Sequence, residues 1–120
     1  MLFAAAAFTV ALGIQDAAAQ PEPMACEVGP VTRIYGQSGW LVYGCSDERT
    51  LIFVSAPGNP AMPFVFILTP DADGYRLHGE GTGAQDATRP AFEELSQMTE
   101  TERNALLTET KAAAAAVPSR

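Results

Sequence analysis

The sequence predicts an α+β fold, an antiparallel β-meander of about five strands with two C-terminal helices packed on one face. Segments rich in Val, Ile, Phe and Tyr alternate with Gly-, Pro- and Asp-containing turns over residues 31–79. Every connection between these segments is too short for the crossover that parallel strands require. From Asp86 onward the apolar residues recur with the period of a helix.

Composition and charge restrict the function. The chain has 120 residues with a formal net charge of −7, and its 7 Lys and Arg residues are scattered. Without a basic stripe to neutralise phosphates, nucleic acid is not an expected partner, and attraction to anionic lipid is equally weak. One His and two Cys are too few for most dense metal sites, so we expect no metal and no cofactor.

The N-terminal residues predict export. Leu2 to Ile14 form an apolar run too short to span a bilayer, and Ala17-Ala18-Ala19 is typical of a signal-peptidase site. We therefore expect residues 1–19 to be a signal peptide and residues 20–120 to be a single small domain. No Lys or Arg precedes the apolar run, which favours a start codon upstream of Met1. The expected location is the bacterial periplasm or the secreted fraction, with no stable membrane insertion after cleavage.

Export favours a disulfide between Cys26 and Cys45. The first hairpin is predicted from Val31 to Tyr35 and from Trp40 to Cys45, with a turn at Gly36 to Gly39. Pairing Tyr35 with Trp40 leaves the two cysteines roughly 13 Å apart in an extended chain. A bridge needs Cα atoms within about 7 Å, so the chain is expected to fold back at Gly29-Pro30.

Three further strands are predicted after a polar turn at Ser46 to Thr50, and they are separated by a stiff Pro57 to Pro63 connection and by an Asp-Gly turn at Pro70 to Gly74. They are predicted at Leu51 to Ala56, Phe64 to Thr69 and Tyr75 to Gly79.

Two helices are predicted within residues 87–117. Thr88-Arg89-Pro90 begins the first, with Phe92 and Leu95 directed inward. Thr99 and Glu102 form a capping box for the second, and Pro118 ends it. The apolar stripe of the second helix consists of Leu106, Leu107 and Thr110.

The third and fourth strands are apolar on both faces, which predicts that both faces of the sheet are covered. The helices cover one face. The second face needs another cover, and three are possible. The first hairpin, with Trp40, Val42 and Tyr43, folds over it, or a homodimer or protein partner covers it, or a small apolar ligand does. The residues expected to form a binding surface are Trp40, Tyr43, Phe53, Phe64 and Phe66.

Candidate catalytic groups are few. His78 is the single histidine, and only the fold can bring Ser38, Ser46 or Ser55 beside it. The loop Gly79 to Gly83 lies between a strand and a helix, where backbone amides bind anions, so Gly79, Gly81 and Gly83 form a candidate anion loop. The sequence contains no group of side chains in a recognisable catalytic arrangement. We therefore assign no catalytic residue and expect a non-enzymatic binding or protein-interaction module. The alternatives are a small periplasmic hydrolase or transferase using His78 near that loop, and a carrier of a small apolar ligand.

Overall fold

A computed structural model describes residues 24–116 of the chain. The predicted signal peptide and Pro118 lie outside these residues. The described chain is a five-stranded antiparallel sheet in the order β1-β2-β3-β4-β5, followed by two helices, which confirms the predicted α+β meander. The elements are β1 Val28–Tyr35, β2 Ser38–Gly44, β3 Leu51–Ser55, β4 Phe64–Asp71, β5 Gly74–Gly81, α1 Gln85–Ser96 and α2 Glu100–Ala116.

The β1–β2 turn is tighter than the sequence predicted. Tyr35 pairs with Ser38 instead of Trp40, so only Gly36 and Gln37 lie between the strands. Both have positive φ, 58° and 65°, which is the left-handed conformation of a two-residue hairpin turn whose twist matches that of the strands. The predicted four-residue turn is therefore wrong, and the register moves by two residues.

A bulge in β1 completes the approach of the two cysteines. Val31 pairs with Val42 but Val28 pairs with Gly44, so β1 holds one extra residue where the fold-back at Gly29-Pro30 was expected. The shorter turn and the bulge together bring Cys26 beside Cys45, with 3.8 Å between their Cα atoms. The predicted disulfide is confirmed.

The core lies between the helices and one face of the sheet. Trp40, Phe53 and Phe66 are 0%, 0% and 1% exposed, and the indole of Trp40 packs 5.2 Å from the ring of Phe66. Each such side chain contributes about 1.5–3 kcal/mol when it is fully buried. The indole N–H donates to the carbonyl of Tyr35 at 3.2 Å and to the hydroxyl of Ser38 at 3.1 Å, so burying Trp40 leaves no polar group unpaired.

Tyr35 is also part of this core, with its ring edge-on to Phe53 at 5.5 Å. Burial raises the pKa of its phenol to about 12, although the nearby Arg33 charge opposes the shift.

The helices close the core as their sequences predict. Leu95 of α1 and Leu106, Leu107 and Thr110 of α2 are buried. The capping box is present, because the amide of Glu102 donates to the Thr99 hydroxyl at 3.1 Å and the amide of Thr99 donates to the Glu102 carboxylate at 2.8 Å.

Phe92 departs from the prediction. It is 42% exposed, and its ring lies 6.2 Å from Phe66 at the margin of the core. Phe92 precedes the buried Leu95 by three positions on α1, which is close to one helical turn but places it beyond the edge of the buried stripe.

Two ion pairs attach α2 to the sheet. Arg33 of β1 pairs with Glu109, and Lys111 pairs with Glu48 in the turn between β2 and β3. The hydrogen bond from Lys111 lowers the pKa of Glu48 below its usual range.

The β2–β3 turn is held by a single carboxylate. Asp47 accepts hydrogen bonds from the amides of Arg49 and Thr50 and from the Thr50 hydroxyl, at 2.9, 2.8 and 2.6 Å. Burial alone would raise the pKa of Asp47, but these bonds outweigh it and lower the pKa below its ordinary value of 3.8. The ionised form therefore stabilises the fold.

Replacing this carboxylate, Asp47→Ala, should lower the free energy of unfolding at neutral pH by about 1 kcal/mol, because the turn loses three hydrogen bonds at a largely exposed site. The lowered pKa means that the contribution is complete above pH 3.8 and disappears as the pH falls through the folded-state pKa. Urea unfolding at a series of pH values measures the difference, with Asp73→Ala in the β4–β5 turn as control. A difference that stayed constant into strong acid would contradict the assigned role.

Cys45→Ser should lower the free energy of unfolding by about 3 kcal/mol, because the unfolded chain is released from the loop between Cys26 and Cys45. The urea midpoint under oxidising conditions measures this loss. Reductant should shift the wild-type midpoint and leave that of the Cys26→Ser, Cys45→Ser double variant unchanged. An oxidised single variant as stable as wild type would show that the bridge contributes nothing.

Candidate functional site

The face of the sheet that points away from the helices is apolar. We call it the outer face and define it by six partly exposed side chains at alternate positions of the three central strands: Leu41, Tyr43, Ile52, Val54, Val65 and Ile67. The intervening residues of these strands are mostly buried beneath α1 and α2. A sheet face left to water normally carries polar side chains, so this composition is unusual.

The strand register arranges the outer face in two cross-strand rows. In the first row Leu41 lies opposite Val54 and Val54 opposite Val65. In the second row Tyr43 lies opposite Ile52 and Ile52 opposite Ile67.

Each row ends on β5 at an ionisable residue. Val65 of the first row pairs with Glu80, and Ile67 of the second pairs with His78. The side chain of His78 is 58% exposed and that of Glu80 is 63% exposed. The imidazole Nε2 lies 3.2 Å from the carboxylate Oε2. Arg76 continues this polar margin, with a side chain that is 71% exposed. The outer face is thus an apolar area with a charged margin along the β5 edge.

One end of the outer face forms an open depression of about 390 Å³. Val54 and Val65 belong to its lining, and Met62 and Pro63 of the β3–β4 connection extend it. Met62 is 50% exposed. The depression enlarges the apolar area beyond the strands themselves.

The predicted binding surface needs correction. Trp40, Phe53 and Phe66 are buried in the core on the opposite face, and Phe64 packs beside Phe66 at 4.9 Å on that same side. Of the predicted set only Tyr43 lies on the outer face. The physical reason is the two-residue period of a strand, which sends alternate side chains to opposite faces.

The predicted fold-over of the first hairpin is also wrong. β1 and β2 continue the sheet, with Val42 of β2 paired to Phe53 of β3, so the hairpin does not form a second layer. Sequence reasoning missed five aliphatic members of the outer face, Leu41, Ile52, Val54, Val65 and Ile67. For the four on β3 and β4 the sequence signal is the apolar character of both faces of these strands, but the predicted binding surface takes only their aromatic residues.

A second, smaller cleft lies between α1 and the ends of β4 and β5. It has a volume of about 360 Å³ and is lined by Phe64, Phe66, Gly79, Phe92 and Arg89 among others. Its aromatic residues are extensions of the core, because the Phe64 and Phe92 rings contact Phe66 there.

None of the three candidate serines forms a hydrogen bond with His78. The Ser38 hydroxyl donates to the carbonyl of Tyr35, that of Ser46 accepts from the amide of Ala25, and that of Ser55 accepts from the amide of Phe64. The hydrogen-bond partner of His78 is Glu80. Among residues 24–116 no group of three or more His, Cys, Asp and Glu side chains is placed to hold a metal ion.

The candidate anion loop also needs correction. Gly79 and Gly81 belong to β5, where they pair with Phe66 and Phe64. The amides of Thr82 and Gly83 both donate to the carbonyl of Pro63, at 3.2 and 3.1 Å, so they are not directed at a ligand.

Close packing explains the glycine at position 83. A Cβ there would overlap the carbonyl of Ala61. The glycine-rich segment therefore lets the chain lie directly against the β3–β4 connection.

Gly83→Ala should destabilise the fold by about 1–3 kcal/mol, because the added methyl group displaces the backbone at Ala61. Gly39→Ala is the matched control, since its Cβ would meet only the Cβ of Ala56 at 3.7 Å, and it should change stability by less than about 0.5 kcal/mol. Thermal unfolding of the two variants beside wild type measures both effects. Equal stability of the two variants would contradict the packing role.

Comparison with protein families, with curated proteins and with solved structures finds no match for this chain. No helix in the range 24–116 is long and apolar enough to cross a membrane.

Proposed function

We propose that this protein is a non-enzymatic, exported binding module that docks a protein partner on its outer face. The observation that carries the proposal is the row structure of that face, in which six apolar side chains on three adjacent strands point away from the core. A contiguous exposed apolar patch of this kind marks interaction sites in monomeric folds.

Export to the periplasm or secretion is part of the proposal. It is supported by the signal-like residues 1–19 and by the bridge between Cys26 and Cys45, since structural disulfides persist in oxidising compartments. The bridge ties the residue that follows β2 to the segment that precedes β1, so it holds this end of the β1–β2 hairpin together.

The shape of the face favours a protein over a small apolar ligand. Small-molecule sites are concave and bury most of the ligand surface. The outer face extends across three strands, and its depression beside Met62 opens along the surface. A broad apolar face with a charged margin matches the composition of a protein interface, which has an apolar centre and a polar rim.

A photo-crosslinking residue at position 52 tests this proposal in cells that export the protein. Ile52 lies in the middle of the second row, so we expect covalent adducts to a protein from this position. The same residue at position 105, exposed on α2, is the control and should give none. An absence of adducts at position 52, or equal adducts at both positions, would overturn the proposed docking function.

A further inference from the structure

We infer that the partner docked on the outer face is a second copy of this chain. This inference rests on the proposed function and names its partner. It is carried by the self-complementarity of the two rows, by the area of the face and by the distribution of charge.

The two rows match each other under a twofold rotation. An axis running across the strands between the rows places Leu41, Val54 and Val65 of one copy over Tyr43, Ile52 and Ile67 of the second copy. Such an interface is isologous, so the same contacts form twice. Every apolar residue of the outer face then meets another apolar residue.

The same rotation matches the β5 margin. Glu80 ends the first row and His78 ends the second, so the axis places Glu80 of each copy over His78 of the other. Within one chain these two side chains already lie 3.2 Å apart, which shows that they form a hydrogen-bonded pair. In the dimer two carboxylates and two imidazoles would alternate along the margin, with a donor facing an acceptor at each step.

The area is sufficient for a specific interface. The whole side of the sheet that points away from the helices, with β1 and β5 included, comprises five strands of five to eight residues. At about 4.8 Å between strands and about 3.4 Å per residue, this side covers roughly 550 Å². Two copies remove roughly 1,100 Å² from water, which exceeds the about 1,000 Å² expected of a biological contact. This value is at the small end of the range, so we expect a reversible dimer.

The charge distribution permits self-association of an acidic chain. The net charge is −7, yet Glu80 is the single carboxylate in the two rows and their β5 ends. Acidic residues such as Glu93, Glu94 and Glu102 lie on the helices, which cover the opposite face. At physiological ionic strength charges beyond about 8 Å are largely screened, so the helices contribute little repulsion across the interface.

The test is sedimentation velocity of the purified, oxidised mature protein over about 1 to about 300 µM. We expect a concentration-dependent dimer. Val54→Lys should weaken it at least about tenfold, because the ammonium group would be buried without a partner. Ala105→Lys introduces the same group on the exposed face of α2 and should leave the dimer unchanged.

A charge exchange tests the row arrangement itself. His78→Glu and Glu80→His should each weaken the dimer several-fold, because they bring like groups together at the margin. The double variant exchanges the two residues and should restore the wild-type dissociation constant. Circular dichroism and the oxidised state of the two cysteines confirm that each variant is folded.

The outcomes separate this inference from the proposed function. A wild-type protein that is monomeric throughout the concentration range overturns the inference that the partner is a second copy of this chain. Adducts from position 52 to a different protein would still support the proposed docking function. A dimer that is insensitive to Val54→Lys overturns the outer face as the interface. A dimer that the double exchange does not restore overturns the twofold arrangement of the rows.

Discussion

The helices cover only one face of the sheet, and this constraint decides both the core and the surface. Side chains alternate along each strand, so covering one face buries Trp40, Phe53 and Phe66 and leaves their neighbours facing away. Within residues 24–116 the two helices are the only layer besides the sheet. The apolar neighbours on β2, β3 and β4 therefore have no cover within the described fold. The core and the outer face are two results of one arrangement.

The register that selects these faces is set at the β1–β2 turn. Gly36 donates its amide to the Glu94 carboxylate at 2.8 Å, and a Cβ at this position would overlap the backbone of Ala91 in α1. The turn is therefore fixed against the helix that covers the core. A one-residue slip in pairing would exchange the two faces of β2 and place Trp40 in water. The same register, with the β1 bulge, brings Cys26 to Cys45, so the helix contact, the core and the bridge depend on one another.

These dependences explain how much the sequence alone could predict. The five strands, both helices and the Thr99–Glu102 capping box follow from local patterns, whereas the disulfide follows from the predicted export, and the structure contains them all. The two-residue turn at Gly36 does not follow from local patterns, and in the structure this turn contacts α1, a distant segment of the chain. For the candidate site, the apolar character of both faces was visible, but aromatic and aliphatic residues give the same pattern. The amides of Thr82 and Gly83 donate to the carbonyl of Pro63. The sequence could not predict these hydrogen bonds, because Pro63 lies in a distant segment of the chain.

The edges of the sheet favour docking through the face over addition of a strand. An exposed edge strand can pair with another chain, and charged side chains oppose this. β5 carries Arg76, His78 and Glu80 along its length, whereas β1 is interrupted by the bulge and is held to α2 by the ion pair of Arg33 with Glu109. Area alone does not set affinity or select a partner. In the proposed dimer the apolar rows would supply the attraction and the β5 margin the orientation, since a carboxylate opposite His78 and an imidazole opposite Glu80 would give each residue a hydrogen-bond partner. A second copy turned about the axis between the rows places both groups there.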